Sequence, residues 1–151
     1  MKTNKKLIAA LATVLMSAAA HAGDNHSITV NGNVSGTCKF NSATSTVNLT
    51  IDPTASTTVT QNASVLYRCT KGTAPTFALS SGSTSSATGG NLVNGAESIP
   101  YTFSSTSGGN GTGMGTGNDK TLAVSVSVNQ ANAANVTPAV YTDSIAITLT
   151  P

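Results

Sequence analysis

The stretch Thr121-Leu-Ala-Val-Ser-Val-Ser-Val128 alternates apolar and small residues along its whole length. Successive side chains of a β-strand point to opposite faces, so Leu122, Val124, Val126 and Val128 share one face of such a strand. The same spacing on a helix would scatter these side chains around the axis. The pattern therefore predicts a central β-strand with one buried face.

Similar alternating runs recur on both sides of this strand, and residues that favour turns separate them. The runs cover residues 28–34, 46–51, 63–69, 76–80, 99–103 and 140–151. No segment has the periodicity of an amphipathic helix. About seven short strands in a chain of 151 residues predict an all-β fold, an immunoglobulin-like β-sandwich.

Two segments between these runs, 81–95 and 104–119, are rich in Gly, Ser, Thr and Asn. We expect both to be long, mobile surface loops. The second contains Gly108-Gly-Asn-Gly-Thr-Gly-Met-Gly-Thr-Gly-Asn118. It has neither the spacing of a phosphate-binding glycine motif nor the regular aspartates of calcium-binding repeats, so it indicates no ligand.

Residues 1–22 have the organisation of a cleaved secretory signal. Three lysines precede the apolar run Leu7–Met16, and Ala20-His21-Ala22 offers a cleavage site. The apolar run is shorter than the ~20 residues of a membrane helix, which disfavours the alternative of a retained anchor and direct membrane insertion. We therefore expect an exported mature chain that begins at Gly23.

The mature chain is nearly neutral. Four cationic side chains remain after the leader, against five carboxylates, which leaves a net charge of −1. The cations are Lys39, Arg68, Lys71 and Lys120, and the carboxylates are Asp24, Asp52, Glu97, Asp119 and Asp143. Nucleic acid and anionic lipid are excluded as partners, because binding them requires a basic surface.

The two cysteines, Cys38 and Cys69, both follow the leader. In an exported chain such a pair most simply forms one disulfide. It would close a loop of about 30 residues and stabilise the fold by roughly 3.5 kcal/mol. Metal binding is the rival interpretation, but no clustered histidine or further cysteine supports it, and no cofactor is expected.

Catalytic groups are sparse. The mature chain has one histidine, His26, in the N-terminal region, where nothing orients it as a base. The carboxylates are scattered singly, so no pair of general acid and base is indicated. The sequence predicts that the protein is not an enzyme.

The two ends of the mature chain have complementary features. The last predicted strand runs to Pro151. We therefore expect the immunoglobulin-like sandwich to lack its final strand. An apolar groove would then stay open beside the last strand that is present. Another chain can fill such a groove by inserting an alternating strand. Residues 23–36 have that form, with Ile28, Val30, Gly32 and Val34 on one face. The alternative is that 26–34 packs as an ordinary first strand on its own domain.

Three motifs follow one another in this order. They are the alternating N-terminal strand before Cys38, the stretch Leu66-Tyr-Arg-Cys-Thr-Lys-Gly72, and Pro138-Ala-Val-Tyr-Thr-Asp143 before the last strand. With a signal peptide, they resemble the pilin subunits of the archaic chaperone–usher class, which share the spore coat protein U domain. The family often has Gly where this chain has Val140, and the long glycine loop is not a family feature.

The resemblance implies a structural subunit of a surface pilus that supports adhesion and biofilm formation. We expect it to be the major rod pilin, because a tip adhesin normally needs a second, receptor-binding domain that the 129 residues of the mature chain cannot supply. A periplasmic chaperone would hold the groove open, and an outer-membrane usher would exchange the chaperone strand for the donor of another copy or of a minor or tip pilin. Residues 23–36 would be the donor and 37–151 the sandwich. The acceptor groove would comprise Val124, Val126, Val128, Ile145, Ile147 and Leu149.

Two alternatives remain open at this point. One is a secreted coat protein of the spore coat U type, which assembles without an usher. The other is a small exported carbohydrate-binding module, which usually carries surface aromatic residues. Only three Tyr and three Phe occur, mostly within strand patterns, which disfavours the second.

Overall fold

The computed structural model describes residues 23–42 and 44–151. Within these ranges the chain forms seven strands and one 3₁₀ turn, Gln130–Ala133. The strands are β1 (Cys38–Phe40), β2 (Thr58–Cys69), β3 (Thr76–Ser81), β4 (Gly89–Asn94), β5 (Glu97–Ser107), β6 (Lys120–Asn129) and β7 (Ile145–Thr150). The predicted all-β fold is confirmed. The predicted signal, residues 1–22, lies outside the described ranges.

The strands form two antiparallel sheets, ordered β1-β2-β6-β5-β4 and β3-β7. An immunoglobulin constant domain has strands A, B, E and D in one sheet and C, F and G in the other. By their order, β1, β2, β6 and β5 correspond to A, B, E and D, while β3 and β7 correspond to C and F. β4 is an additional edge strand, and none of the described residues forms a strand at the position of G, beside β7.

The core lies between the two sheets. The apolar face of β6 is buried as predicted, with Leu122 and Val128 at most 1 % exposed. The Tyr67 ring of β2 meets the Phe77 ring of β3 edge to face, with 5.0 Å between centroids. This contact joins the two sheets directly.

Cys38 and Cys69 form a disulfide, as predicted. They lie directly opposite each other in the register of β1 and β2. Both sulfur atoms are therefore committed to the bond, which ties the start of the sandwich to the end of β2.

The prediction of a loop over 81–95 is wrong for residues 89–94, which form β4 against β5. The glycines in this segment, which are typical of a loop, instead allow neighbouring atoms to pack closely against the strand. Gly90 is buried, and a Cβ atom there would lie 2.7 Å from the Asp143 carboxylate and would also collide with the Ser81 hydroxyl. Ser81 and Asp143 therefore leave no room for a side chain at position 90, and β4 forms with glycine there.

The second predicted loop also needs correction. Residues 104–107 belong to β5, and the glycine-rich stretch beyond them is bonded to the sandwich. The Gly111 N–H donates to the Thr73 carbonyl at 2.9 Å, and the Gly113 N–H donates to the Cys69 carbonyl at 3.0 Å. The buried Tyr67 hydroxyl donates to the Gly109 carbonyl at 2.7 Å. Glycine permits this approach, so the stretch is an anchored connection and not a free loop.

The predicted strand over 46–51 is not formed. Val47, Leu49 and Ile51 are half-buried and alternate with exposed residues, so the side-chain pattern of a strand is present. No strand among the described residues pairs with this segment. Its backbone therefore lacks the ladder that the sequence pattern suggested.

Candidate functional site

An apolar groove of about 1130 Å³ opens between β7 and the extended segment 44–51. Its floor is the buried inner face of the larger sheet. One wall carries Val47, Leu49 and Ile51, and the other carries Ile145 and Ile147. The floor includes Val65, Ile99, Tyr101, Val124 and Val126.

The wall on β7 has half-buried apolar side chains and backbone polar groups that point away from β3. Ile145, Ile147 and Leu149 point toward the core but are only half-buried, whereas the corresponding face of β6 is buried. The Gly82 N–H donates to the Ser144 carbonyl at 2.7 Å, so Gly82 and Ser144 are a hydrogen-bonded pair next to the β3–β7 ladder. In an antiparallel pair, residues opposite each other alternate between bonded and non-bonded pairs. The N–H and C=O groups of Ile145, Ile147 and Leu149 therefore point away from β3, toward the groove side.

Four of the six predicted groove residues line this space: Val124, Val126, Ile145 and Ile147. Val128 is fully buried in the floor of the core, and Leu149 lies beyond the lining. Val47, Leu49 and Ile51 also line the groove, although they are not among the predicted groove residues. Their alternation in the sequence predicts a strand, but it does not show that the segment lines the groove.

The rim of the groove is held by Asp143. Its Oδ2 accepts hydrogen bonds from the hydroxyls of Ser81 at 2.7 Å, Ser83 at 2.8 Å and Tyr101 at 2.8 Å. Burial by itself raises the pKa of Asp143, but these hydrogen bonds outweigh it and the pKa lies below the ordinary value. The pKa of Tyr101 is raised to about 12, by burial first and then by Asp143. The ionised carboxylate thus joins the start of β7 to β3 and β5.

Tyr141 holds the same rim at a second point. Its hydroxyl donates to Glu97 Oε2 at 2.6 Å, and the Thr137 N–H donates to the same oxygen at 3.0 Å. The hydrogen bond to Glu97 raises the pKa of Tyr141 to about 12. The Tyr and Asp of the stretch Pro138–Asp143 are therefore positioning residues for the segment that enters β7. Between them, Val140 is 81 % exposed at the groove mouth.

The predicted donor stretch is described from Gly23 onward, and residues 23–36 belong to no strand. Its apolar side chains are in solvent: Ile28 is 80 % exposed, Val30 87 % and Val34 85 %. These large apolar side chains are two and four residues apart, and exposed apolar side chains grouped in this way are typical of surfaces that bind other proteins.

The described residues contain no cluster of three or more His, Cys, Asp or Glu side chains that could hold a metal ion. No helix in this part of the chain is long and apolar enough to cross a membrane. The groove offers apolar contacts and an unpaired strand edge, which are the means of binding an extended peptide.

Comparison with known proteins gives one family match. The model of the Spore Coat Protein U domain matches residues 24–148. No curated protein and no solved structure matches the chain. The match spans the N-terminal stretch, the disulfide, both sheets and most of β7. The chain belongs to the Spore Coat Protein U domain family.

Proposed function

We propose that this chain is a structural subunit of a chaperone–usher surface pilus, with the role of major rod pilin, and that it polymerises by donor-strand exchange. The main support for the proposal is the apolar groove beside β7, where none of the described residues forms the last strand of the immunoglobulin-like order. The exposed alternating stretch at the N-terminus is the complementary element. In this proposal residues 23–36 are the donor and 37–151 the acceptor sandwich.

The dimensions of donor and groove agree. Six residue steps from Ile28 to Val34 span roughly 20 Å as a strand, and the five steps of β7 span roughly 17 Å. Alternate donor side chains would enter the groove, while the donor backbone would bond to the groove-side edge of β7. Gly32 would lie opposite a shallow part of the groove, since it contributes no side chain.

The apolar contribution is substantial. Fully burying a Val or Ile side chain contributes roughly 1.5–3 kcal/mol, so Ile28, Val30 and Val34 together supply about 5–9 kcal/mol. Up to six further backbone hydrogen bonds form along Ile145, Ile147 and Leu149, each contributing about 1 kcal/mol net. Together these contributions amount to about 11–15 kcal/mol before the entropic cost of association is subtracted.

Each subunit offers a donor at one place and a groove at another, so the contact is heterologous and extends into a filament. Before assembly the exposed groove would aggregate. We therefore propose that residues 1–22 direct export, that a periplasmic chaperone covers the groove with one of its own strands, and that an outer-membrane usher replaces that strand by the donor of the next subunit.

The family description names a coat protein, which favours a coat-forming structural protein as the second candidate. The same donor and groove could build a coat without an usher. Electron microscopy of the producing cell, with and without this chain, separates the two. Fibres that disappear with the chain support the pilus, and an amorphous layer that disappears supports the coat. Unchanged surfaces would contradict both.

A further inference from the structure

All four cations of the described residues lie at one end of the sandwich, where β2 ends and β6 begins. Lys39 is opposite Arg68 in the β1–β2 register, Lys71 follows β2, and Lys120 begins β6. The Arg68 Nε donates to Asp119 Oδ1 at 2.6 Å. Four cations and one carboxylate leave this basic end with a side-chain charge of +3.

The opposite end, where β2 begins and β6 ends, is acidic. The Asp52 N–H donates to Gln130 at 2.8 Å beside that end, Glu97 begins β5, and Asp143 lies at the entry to β7. Hydrogen bonds hold the pKa of Asp52 and of Glu97 below their ordinary values. With no Lys or Arg among the described residues there, the acidic end carries −3.

Chain direction links these ends to the proposed assembly. β1 begins at Cys38, so the donor stretch leaves its own sandwich at the basic end, and only residues 35–37 separate Val34 from β1. β7 runs from the acidic end to the basic end. A donor strand antiparallel to β7 would therefore finish with Val34 at the acidic end of the acceptor.

We propose that the basic end of each donor copy docks against the acidic end of its acceptor copy, and that this charge complementarity selects antiparallel insertion. The inference rests on the proposed function and adds the orientation of successive subunits. Parallel insertion would instead bring two basic ends together, and like charges in contact oppose association. Complementary ends also steer the encounter and raise its rate, an effect that salt removes.

Three variants of the purified mature chain, each changing the charge by −2, test this by light scattering of polymer growth at several salt concentrations. The first, Lys39→Gln with Lys71→Gln, neutralises exposed lysines of the basic end. The second, Asn132→Asp with Asn135→Asp, adds carboxylates at the acidic end. The third, Asn62→Asp with Ser104→Asp, adds them at the middle of the outer sheet face as the control.

At low salt we expect the first variant to polymerise about tenfold more slowly than the unmodified chain and the second to polymerise faster, by steering. The control should remain within about twofold. In about 1 M salt, where the Debye length is about 3 Å, the four rates should converge. Equal rates for all variants at low salt would overturn the inference while leaving donor-strand exchange intact. An unmodified chain that never polymerises would overturn both.

Discussion

Val30→Asp is the single substitution that we expect to weaken binding of the proposed donor most. Val30 is the central branched side chain of the stretch, and it is 87 % exposed. In the groove the substitution loses the burial of valine, about 1.5–3 kcal/mol. It also desolvates a carboxylate against an apolar floor, at a cost of several kcal/mol. A total of at least about 4 kcal/mol weakens the contact roughly 1,000-fold.

The assay is the length distribution of polymers formed by purified mature chain, resolved by electrophoresis without boiling. Val30→Asp should yield monomers, while thermal unfolding of a chaperone-held subunit stays unchanged because the residue lies outside the sandwich. The matched control is Asn31→Asp, which places the same charge on the opposite face of the donor and should still polymerise. Polymers of ordinary length from Val30→Asp would refute the assignment of the donor face.

Four further predictions concern the stability of the sandwich, each measured by thermal or urea unfolding. Because the folded-state pKa of Asp143 is lowered, its contribution is present above the unfolded pKa of about 3.9 and is lost as the pH falls through the folded value, so Asp143→Asn should flatten the loss of stability in acid. Gly90→Ala should destabilise the fold by roughly 1–3 kcal/mol, because the methyl group meets Asp143; an unchanged midpoint would contradict the close packing of β4. Replacing Cys38 and Cys69 together by Ser should cost roughly 3.5 kcal/mol, and a loss under 1 kcal/mol would contradict the role of the disulfide. Tyr67→Phe removes the hydroxyl bonded to Gly109 and should cost about 1 kcal/mol, with faster amide exchange in the glycine-rich connection.

The sequence predicted the sandwich well where side-chain alternation coincides with burial. Leu122–Val128 alternates because β6 is central and has one buried face. The pairing of Cys38 with Cys69 could be predicted because the sequence has only these two cysteines. These features are local or depend on residue type alone.

Other features depend on neighbours that sequence patterns do not display. Gly90 looked like part of a loop, although the approach of Ser81 and Asp143 is what excludes a side chain there. The alternation at 46–51 correctly indicates a segment with one buried side, but it does not show that the backbone pairs with no strand in the part of the chain that the structure describes. Among the described residues the groove lies between this segment and the edge of β7 that faces away from β3, so the wall formed by Val47, Leu49 and Ile51 could not be predicted from the sequence.

In the proposed assembly, a strand from outside the sandwich must fill the groove. Residues 23–34 can be removed and attached after Pro151 through a flexible Gly/Ser linker, which leaves the strand register free, since an antiparallel strand beside β7 would begin where β7 ends. Urea unfolding and sedimentation then compare this chain with one that only lacks residues 23–34. We expect the rearranged chain to be a monomer that is several kcal/mol more stable than the truncated chain, and we expect the truncated chain to aggregate or unfold readily. A truncated chain that is a well-folded monomer, as stable as the rearranged one, would contradict it.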